Sequence, residues 1–435
     1  MTDIRGSDIV MKQKNRWLIA LSAVSIHLSI GSAYAYSVFK NPLTEQLGWD
    51  NKEASVSFTI AIFFLGLSAA VFGRFVEKYG PRLSAIVAAI LFSAGLIGAG
   101  LAVHLESLLA FYVSYGVIGG IGLGVGYISP VSTLVKWFPD RRGLATGMAV
   151  MGFGAGALIC SPIAATLIDE IGISGTFYTL GIVYFVLMMS GALYIAKPEA
   201  GWMPKGMHNK VRPAESNKAN NDLAQLTANE AIRTKRFWLL WIMMFVNISS
   251  GIMIISVASP MAQDKAGMSV AAAAAMVGMM GLFNGGGRIG WASLSDYLGR
   301  TNVFTIFFSV QLVMFLLLPQ ITNPVVFQLF IFIIMTCYGG GFASLPAYIG
   351  DLFGTKQLGA VHGYLLTAWS AAGVVGPMIV AYIYDSTSSY NATFYLFAGL
   401  LAVALATAIL IRLNIKQLSS KQDQFKTTAI KANSA

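Results

Sequence analysis

Long apolar runs separated by short polar breaks cover most of this chain. The hydrocarbon core of a membrane is about 30 Å thick, so a helix needs roughly 20 apolar residues to cross it. The first run follows a basic start, as a secretory signal does, but it is too long for one and eleven further runs follow. The pattern therefore predicts twelve membrane-spanning helices, at 17–39, 54–76, 83–103, 108–135, 144–168, 175–196, 237–263, 270–295, 303–321, 324–350, 360–384 and 391–412.

A polar segment divides the twelve runs into two sets of six. Its Pro, Gly, Asn and Lys content is typical of a linker. A second polar stretch follows the last run and is expected to be a disordered tail. The predicted organisation is an N-terminal segment at 1–16, a six-helix bundle at 17–196, the linker at 197–235, a second six-helix bundle at 236–412 and the tail at 413–435.

Composition agrees with an all-α membrane protein. Of the 435 residues, 56% are hydrophobic and 11% charged, and the mean hydropathy is +0.67. A soluble protein of this size carries about 25% charged residues. The two cysteines, Cys160 and Cys337, lie in apolar runs and offer neither a disulfide framework nor metal-ligand spacing. No cofactor or metal is expected, and no nucleophile–base arrangement points to an enzyme.

The net charge of +10 is an orientation signal. Of the 29 Lys and Arg residues, 25 fall in segments on the side of both termini and the linker, whereas Lys40, Lys52 and Lys265 fall on the other. Basic loops stay in the cytoplasm, so both termini are predicted to be cytoplasmic in a multi-pass protein of the cell membrane, the inner one in a Gram-negative cell. This placement excludes nucleic acid as the partner. One polypeptide with two halves is expected to be monomeric.

The two predicted halves repeat each other in sequence. "GRFVEKYGPR" (73–82) ends the second span, and "SLSDYLGR" (293–300) ends the eighth. Glu77 matches Asp296 and Gly80 matches Gly299, both at an offset of 219 residues. Gly80 and Gly299 are expected to permit tight turns. The acidic residues, with Arg82 and Arg300, are expected to lock neighbouring helix ends.

This parallel repeat, with a charged loop after the second helix of each half, resembles the major facilitator superfamily. The loop form acidic-basic-x-Gly-x-basic is that superfamily's cytoplasmic signature. The second copy departs from it at Tyr297, where a basic residue is usual, and at Ala292, where the pattern has Gly. The resemblance implies two pseudo-symmetric halves that rock around a central site in alternating access.

Arg288 is the basic residue left inside a predicted span. It lies eight residues before Asp296, which is about 12 Å along a helix and close to the membrane midplane. A guanidinium there costs roughly 2.5–3.5 kcal/mol. All nineteen Asp and Glu residues fall in loops, tails or helix ends, so a protein carboxylate is not expected to pair with it. Two interpretations remain: Arg288 binds an anionic substrate, or carbonyls and water hold it as a structural residue.

Polar and aromatic residues predict a cavity around this arginine. Asn284 shares its helix face at i−4. His27 lies deep in the first span and is either a proton-coupling residue or a neutral histidine bonded to a neighbouring helix. Aromatic walls with few polar tips suit a small anion. The other candidate pocket residues are Tyr34, Tyr127, Tyr338, Phe342 and Trp369.

Several motifs are similar to the oxalate:formate antiporter family of that superfamily. The resemblance implies that Arg288 binds the substrate carboxylate and that Tyr34 and Tyr127 line the pocket. Oxalate-exchanging members carry a second cation, a lysine, where this chain has Trp369. The motifs are "NRWLIALSAV" (15–24), "GSAYAYSVF" (31–39), "VKWFPDRRGLATG" (135–147), "RTKRFWLLW" (233–241) and "LFNGGGR" (282–288).

With one midplane cation, the favoured function is transport of a small monocarboxylate such as lactate, pyruvate or formate. The alternative is an exchanger of oxalate or another dicarboxylate for formate. A drug exporter is disfavoured because the spans hold no acidic residue to attract cations, and a membrane sensor because no output domain is attached. Proton symport and anion exchange remain open, as do uptake and efflux.

Overall fold

The computed structural model describes residues 14–199, 201–204 and 223–433, and every regular element in them is helical. A backbone in lipid has no water to bond, and a helix satisfies its own N–H and C=O groups. Most of the predicted 1–16 segment and the middle of the predicted linker lie outside the described residues. The first half contains α1 (Arg16–Gly31), a 3-10 turn (Ser32–Ala35), α2 (Ser37–Leu47), α3 (Asn51–Tyr79), α4 (Pro81–His104), α5 (Leu108–Phe111), a π-helical segment (Tyr112–Gly119), α6 (Gly120–Trp137) and α7 (Arg142–Tyr194).

The second half repeats this arrangement of long helices after a short one in the linker. Its last helix continues to Asn433, so the tail that was expected to be disordered after Arg412 is helical. The helices are α8 (Ala228–Ala231), α9 (Lys235–Ala266), α10 (Val270–Leu298), α11 (Arg300–Leu317) with a 3-10 turn (Leu318–Gln320), α12 (Pro324–Phe353), α13 (Leu358–Thr387) and α14 (Asn391–Asn433).

Eleven helical stretches in the described residues are long and apolar enough to cross a membrane. The prediction of twelve spans is consistent with this number because α7, with 53 residues, contains two of them. Gly172 interrupts α7 with a φ of +74°, between the predicted spans 144–168 and 175–196. A left-handed backbone turns the chain there, and glycine adopts it without a steric penalty.

The predicted tight turns lie at Gly80 and Gly299. Gly80 has a φ of +86° between α3 and α4, and Gly299 has a φ of +83° between α10 and α11. Both values are in the region that favours glycine. Each pair of helices therefore reverses over a single residue, at matching positions of the two halves.

The two halves meet mainly along two helix pairs, α3 with α13 and α7 with α10. Small residues permit the approach: a Cβ on Gly73 would lie 2.6 Å from the carbonyl oxygen of Gly359, and one on Gly147 would lie 3.1 Å from that of Arg288. The close contact at Gly73 and Gly359 lies near the end of the bundle that carries the linker. We call this end the linker side; it is the side predicted to be cytoplasmic.

Candidate functional site

Arg288 lies at the centre of the bundle, between the two halves, and is fully buried. Its Nε donates to Oδ1 of Asn284 at 3.2 Å, one turn earlier on α10. Its Nη1 donates to the carbonyl oxygen of Val150, on α7 of the first half, at 3.0 Å. The guanidinium carbon lies 5.7 Å from the ring centre of Phe153 and 5.5 Å from that of Phe342. The arginine is therefore held by one helix of each half.

No protein carboxylate balances this charge among the residues that the structure describes. The ion pairs found in them do not include Arg288. Its Nη2 makes no hydrogen bond. A guanidinium carries five N–H donors in a fork that matches a carboxylate. One nitrogen of Arg288 is therefore free to donate to an added anion.

Aromatic side chains from both halves surround the guanidinium. Trp369 on α13 is central, with ring centres 4.5 Å from Phe342, 5.4 Å from Tyr127 and 5.8 Å from Phe153. Tyr34 packs edge-on against Phe153 at 4.9 Å. The structure thus brings predicted pocket residues from the first and second halves into one cluster with Phe153.

The polar tips of this cluster are mostly hydrogen-bond donors. The indole N–H of Trp369 and the hydroxyl of Tyr127 are buried without a hydrogen-bond partner. The hydroxyls of Tyr34 and Tyr338 are also buried without a hydrogen-bond partner. Tyr338 also packs against Phe342, with ring centres 5.3 Å apart. Indole is a donor only and a phenol donates or accepts, so the cluster suits a ligand with several acceptor oxygens.

Three residues of this region were missed in the sequence. Val150 and Phe153 lie in the glycine-rich stretch "VMGFGAG" (150–156), which carries no polar signal. His362 lies two residues inside the predicted span 360–384 and is fully buried on α13. Its ring centre is 5.8 Å from that of Tyr127. A histidine so near the predicted end of a span gives no sign, in sequence alone, that it is enclosed.

His27 is buried beside Tyr127. The two ring centres are 5.0 Å apart, and Nε2 of His27 is 3.0 Å from the carbonyl oxygen of Tyr127. Since a carbonyl only accepts, Nε2 carries the proton of this bond. This contact fits the second of the two roles weighed for His27, a neutral histidine bonded to a neighbouring helix. Its role in proton coupling stays a prediction.

The two repeated acidic residues join the halves on the linker side. Glu77, at the end of α3, accepts from the backbone N–H of Gly359 at 2.7 Å and from Lys136 at 2.8 Å. Asp296, at the end of α10, accepts from the N–H groups of Gly143 and Leu144 at 2.9 and 3.0 Å. Each acid therefore caps the first turn of a helix in the opposite half, where the helix dipole favours a negative charge.

Further ion pairs surround the second of these caps. Arg300 pairs with Asp296 at 2.5 Å and with Asp351 at 3.3 Å. Asp351 also accepts from Arg142, in the first half, at 3.0 Å. Arg82, the other predicted basic member, is exposed and belongs to none of the ion pairs among the described residues. We call the contacts of Glu77 and Asp296 the linker-side lock.

Comparison with known proteins agrees with this architecture. The model of the Major Facilitator Superfamily matches residues 21–373 and 291–433. The oxalate:formate antiporter of Oxalobacter formigenes is 27% identical, over 92% of this chain and 92% of its own. Human monocarboxylate transporter 10 is 24% identical, over 87% of this chain and 75% of its own. The solved structure of the Escherichia coli fucose:proton symporter FucP is 13% identical with a TM-score of 0.70, covering 91% of this chain and 99% of its own.

Proposed function

The chain belongs to the Major Facilitator Superfamily and is a membrane transporter, and from that premise we propose that it carries small monocarboxylates of the lactate, pyruvate or formate class. Arg288 binds the carboxylate. The cell membrane is its location, with the linker side facing the cytoplasm.

One observation carries this proposal: Arg288 is fully buried and has an unpartnered Nη2, and no carboxylate is paired with it in the described residues. A buried charge without a counter-ion is unfavourable. A substrate carboxylate supplies the missing charge and accepts from Nη2 and from the hydroxyls of Tyr34 and Tyr338. The fixed bonds to Asn284 and Val150 orient the guanidinium before the substrate arrives.

The walls of the site favour a short substrate with one carboxylate. Phe153 and Phe342 lie against the guanidinium and Trp369 packs against both rings, which favours a short substrate over a long chain. Trp369 is fully buried where oxalate-exchanging relatives are expected to place a lysine. A dianion would therefore keep one charge uncompensated. The free indole N–H of Trp369 suits a neutral acceptor, such as the 2-oxygen of lactate or pyruvate.

Alternating access follows from the way the halves are joined. In this arrangement the linker-side lock holds them together at α3 with α13 and at α7 with α10. Opening toward the linker requires Glu77 and Asp296 to leave the helix ends that they cap. Arg288 bonds to both halves, so the substrate that neutralises it also affects the cost of moving one half against the other.

The second candidate is exchange of oxalate or another dicarboxylate for formate. It is favoured by the similarity to an oxalate:formate antiporter over nearly the whole chain. It requires a cation other than the missing lysine to hold the second carboxylate. A drug exporter has no comparable support, because the described spans offer a cation to the ligand and no anion.

Uptake into proteoliposomes tests the proposal. Purified protein is reconstituted, and uptake of labelled lactate, pyruvate, formate and oxalate is measured with and without each unlabelled acid inside. We expect monocarboxylate uptake that is lost in Arg288→Ala and kept in Arg412→Ala, which removes an exposed arginine on the linker side. Full uptake by Arg288→Ala would remove the basis of the site. Oxalate counterflow exceeding that of every monocarboxylate would favour the second candidate.

A further inference from the structure

His362 occupies an unusual place between the two halves. It belongs to α13 of the second half, and its ring faces Tyr127 of the first half at 5.8 Å. The ring of His27 also lies beside Tyr127, with ring centres 5.0 Å apart. Both histidines are fully buried. The three rings therefore form a His–Tyr–His cluster at the boundary at which the halves must separate.

The two histidines differ in how their nitrogens are satisfied. His27 is anchored within its own half through Nε2 and the carbonyl of Tyr127. Neither Nδ1 nor Nε2 of His362 makes a hydrogen bond in the part of the chain that the structure describes. A neutral imidazole always carries one donor and one acceptor, and each is unfavourable when it is buried without a partner. Burial of His362 therefore opposes the closed arrangement.

The position of His362 along α13 places it close to the linker-side lock. It lies three residues after Gly359, about 4.5 Å along the helix, and Gly359 is the residue capped by Glu77. Trp369 lies seven residues beyond His362, about 10 Å deeper. When Glu77 leaves Gly359, water from the linker side reaches His362 before it reaches the layer of Arg288 and Trp369.

The groups around His362 do not offset a positive charge in the closed arrangement. From α6 and α1 it meets Tyr127 and His27, which are not anionic at neutral pH. From α3, Glu77 is already bonded to Gly359 and Lys136, and Arg74 lies over the ring of Tyr364, 5.6 Å from its centre.

The remaining neighbours of α13 carry their charges at helix ends. The charges of α9 are at its first two residues and near its last turn, and α12 has a single one, Asp351, which is bonded to Arg142 and Arg300. Glu230 of α8 and the charged residues of α14, which begin at Arg412, are on the linker side. An imidazolium at His362 would thus be buried without a free counter-charge, which is costly.

We propose that His362 is the proton-linked residue of the transport cycle: it binds a proton when the linker side opens and releases it before the halves close there. The inference rests on the proposed function, since it requires the halves to alternate. Acid stabilises the linker-side-open form because only that form exposes the imidazole to water. Deprotonation then permits closure around Tyr127.

The expected size follows from the ordinary titration of a histidine in water, near pH 6.5. If the imidazole titrates near pH 6.5 in the open form and stays neutral in the closed form, the ratio of open to closed protein rises about tenfold between pH 8 and pH 5.5. Detergent-solubilised protein without substrate is suited to this measurement because both sides then share one pH. The observable is the spin-label distance between the linker-side ends of α3 and α13, measured by pulsed electron resonance.

Between pH 8 and pH 5.5, we expect the ratio of the long-distance to the short-distance population of wild-type protein to rise about tenfold. We expect no such rise in His362→Gln. His27→Gln, the matched control that replaces the other buried histidine, should show the same rise as wild type. An unchanged shift in His362→Gln, its loss in His27→Gln, or no shift in wild type would each overturn the proposal. A thermal-shift measurement with lactate and pyruvate on the same variants checks folding. If these acids fail to stabilise wild type while the pH shift persists, the proposed substrate is wrong and the proton linkage stands.

Discussion

Replacing Arg288 by methionine should affect stability and ligand binding in opposite directions. Methionine is of similar length and apolar. Exchange of a buried ionic group for a hydrophobic one is often neutral or stabilising by about 1–4 kcal/mol. Two hydrogen bonds are lost, but the Val150 carbonyl lies within helix α7 and keeps its helical partner, and the Asn284 side chain is uncharged. We expect the ligand-free variant to gain about 1–3 kcal/mol.

The corresponding change in melting temperature is small and measurable. An unfolding entropy of about 2.1 cal/mol/K per residue gives roughly 0.9 kcal/mol/K for 435 residues. The variant should therefore melt about 1–3 °C higher than wild type in a thermal-shift assay without ligand. With lactate, pyruvate or formate present, wild type should gain stability and Arg288→Met should not, because the carboxylate has lost its cation.

Arg300→Met is the matched control. Arg300 is nearly as buried, but it has protein partners in Asp296 and Asp351. Its removal leaves those carboxylates short of a hydrogen-bond donor, so the melting temperature should fall by about 1–3 °C, from a loss of about 1–3 kcal/mol. If Arg288→Met lowered the melting temperature as Arg300→Met does, Arg288 would be a structural residue. A carboxylate shift retained in Arg288→Met would equally refute the assignment of the site.

Three further predictions concern the substrate and the lock. Trp369→Lys should raise the affinity for oxalate relative to formate by about tenfold or more in competition uptake, because the lysine gives the second carboxylate a cation. An unchanged ratio of the two affinities would contradict the placement of Trp369 in the site. Glu77→Ala and Asp296→Ala should each weaken linker-side closure by about 1–3 kcal/mol and lengthen the α3–α13 spin-label distance; equal distances would show that the caps do not lock the halves. Gly73→Val should abolish transport because its Cβ meets the Gly359 carbonyl, whereas Gly399→Val, with open space around it, should transport normally.

Much of the fold was predictable because it depends on local properties of the chain. Apolar length and polar breaks located the spans, including the two that α7 joins across Gly172. The repeat at 73–82 and 293–300 predicted turns at Gly80 and Gly299, and their positive φ values confirm them. The tail is where local composition failed: its polar sequence continues helix α14 to Asn433.

The site was predictable only in part. Arg288 could be recognised because depth in a helix follows from counting residues, and because the absence of acidic residues from the spans is a property of sequence. The hydrogen bond from Arg288 to the Val150 carbonyl could not be predicted, because every residue offers a backbone carbonyl and only the packing of the helices selects this one. Phe153 was missed for the same reason.

The sequence by itself determined that this chain crosses the membrane in two repeated halves and carries one deep cation without a carboxylate in its spans. The tertiary structure decided which residues of opposite halves meet: Glu77 with Gly359, Asp296 with Gly143, and His362 with Tyr127. Hydropathy and helix geometry act between neighbours in the chain. Contacts between residues about 150 to 280 positions apart arise only when complementary helix surfaces pack together.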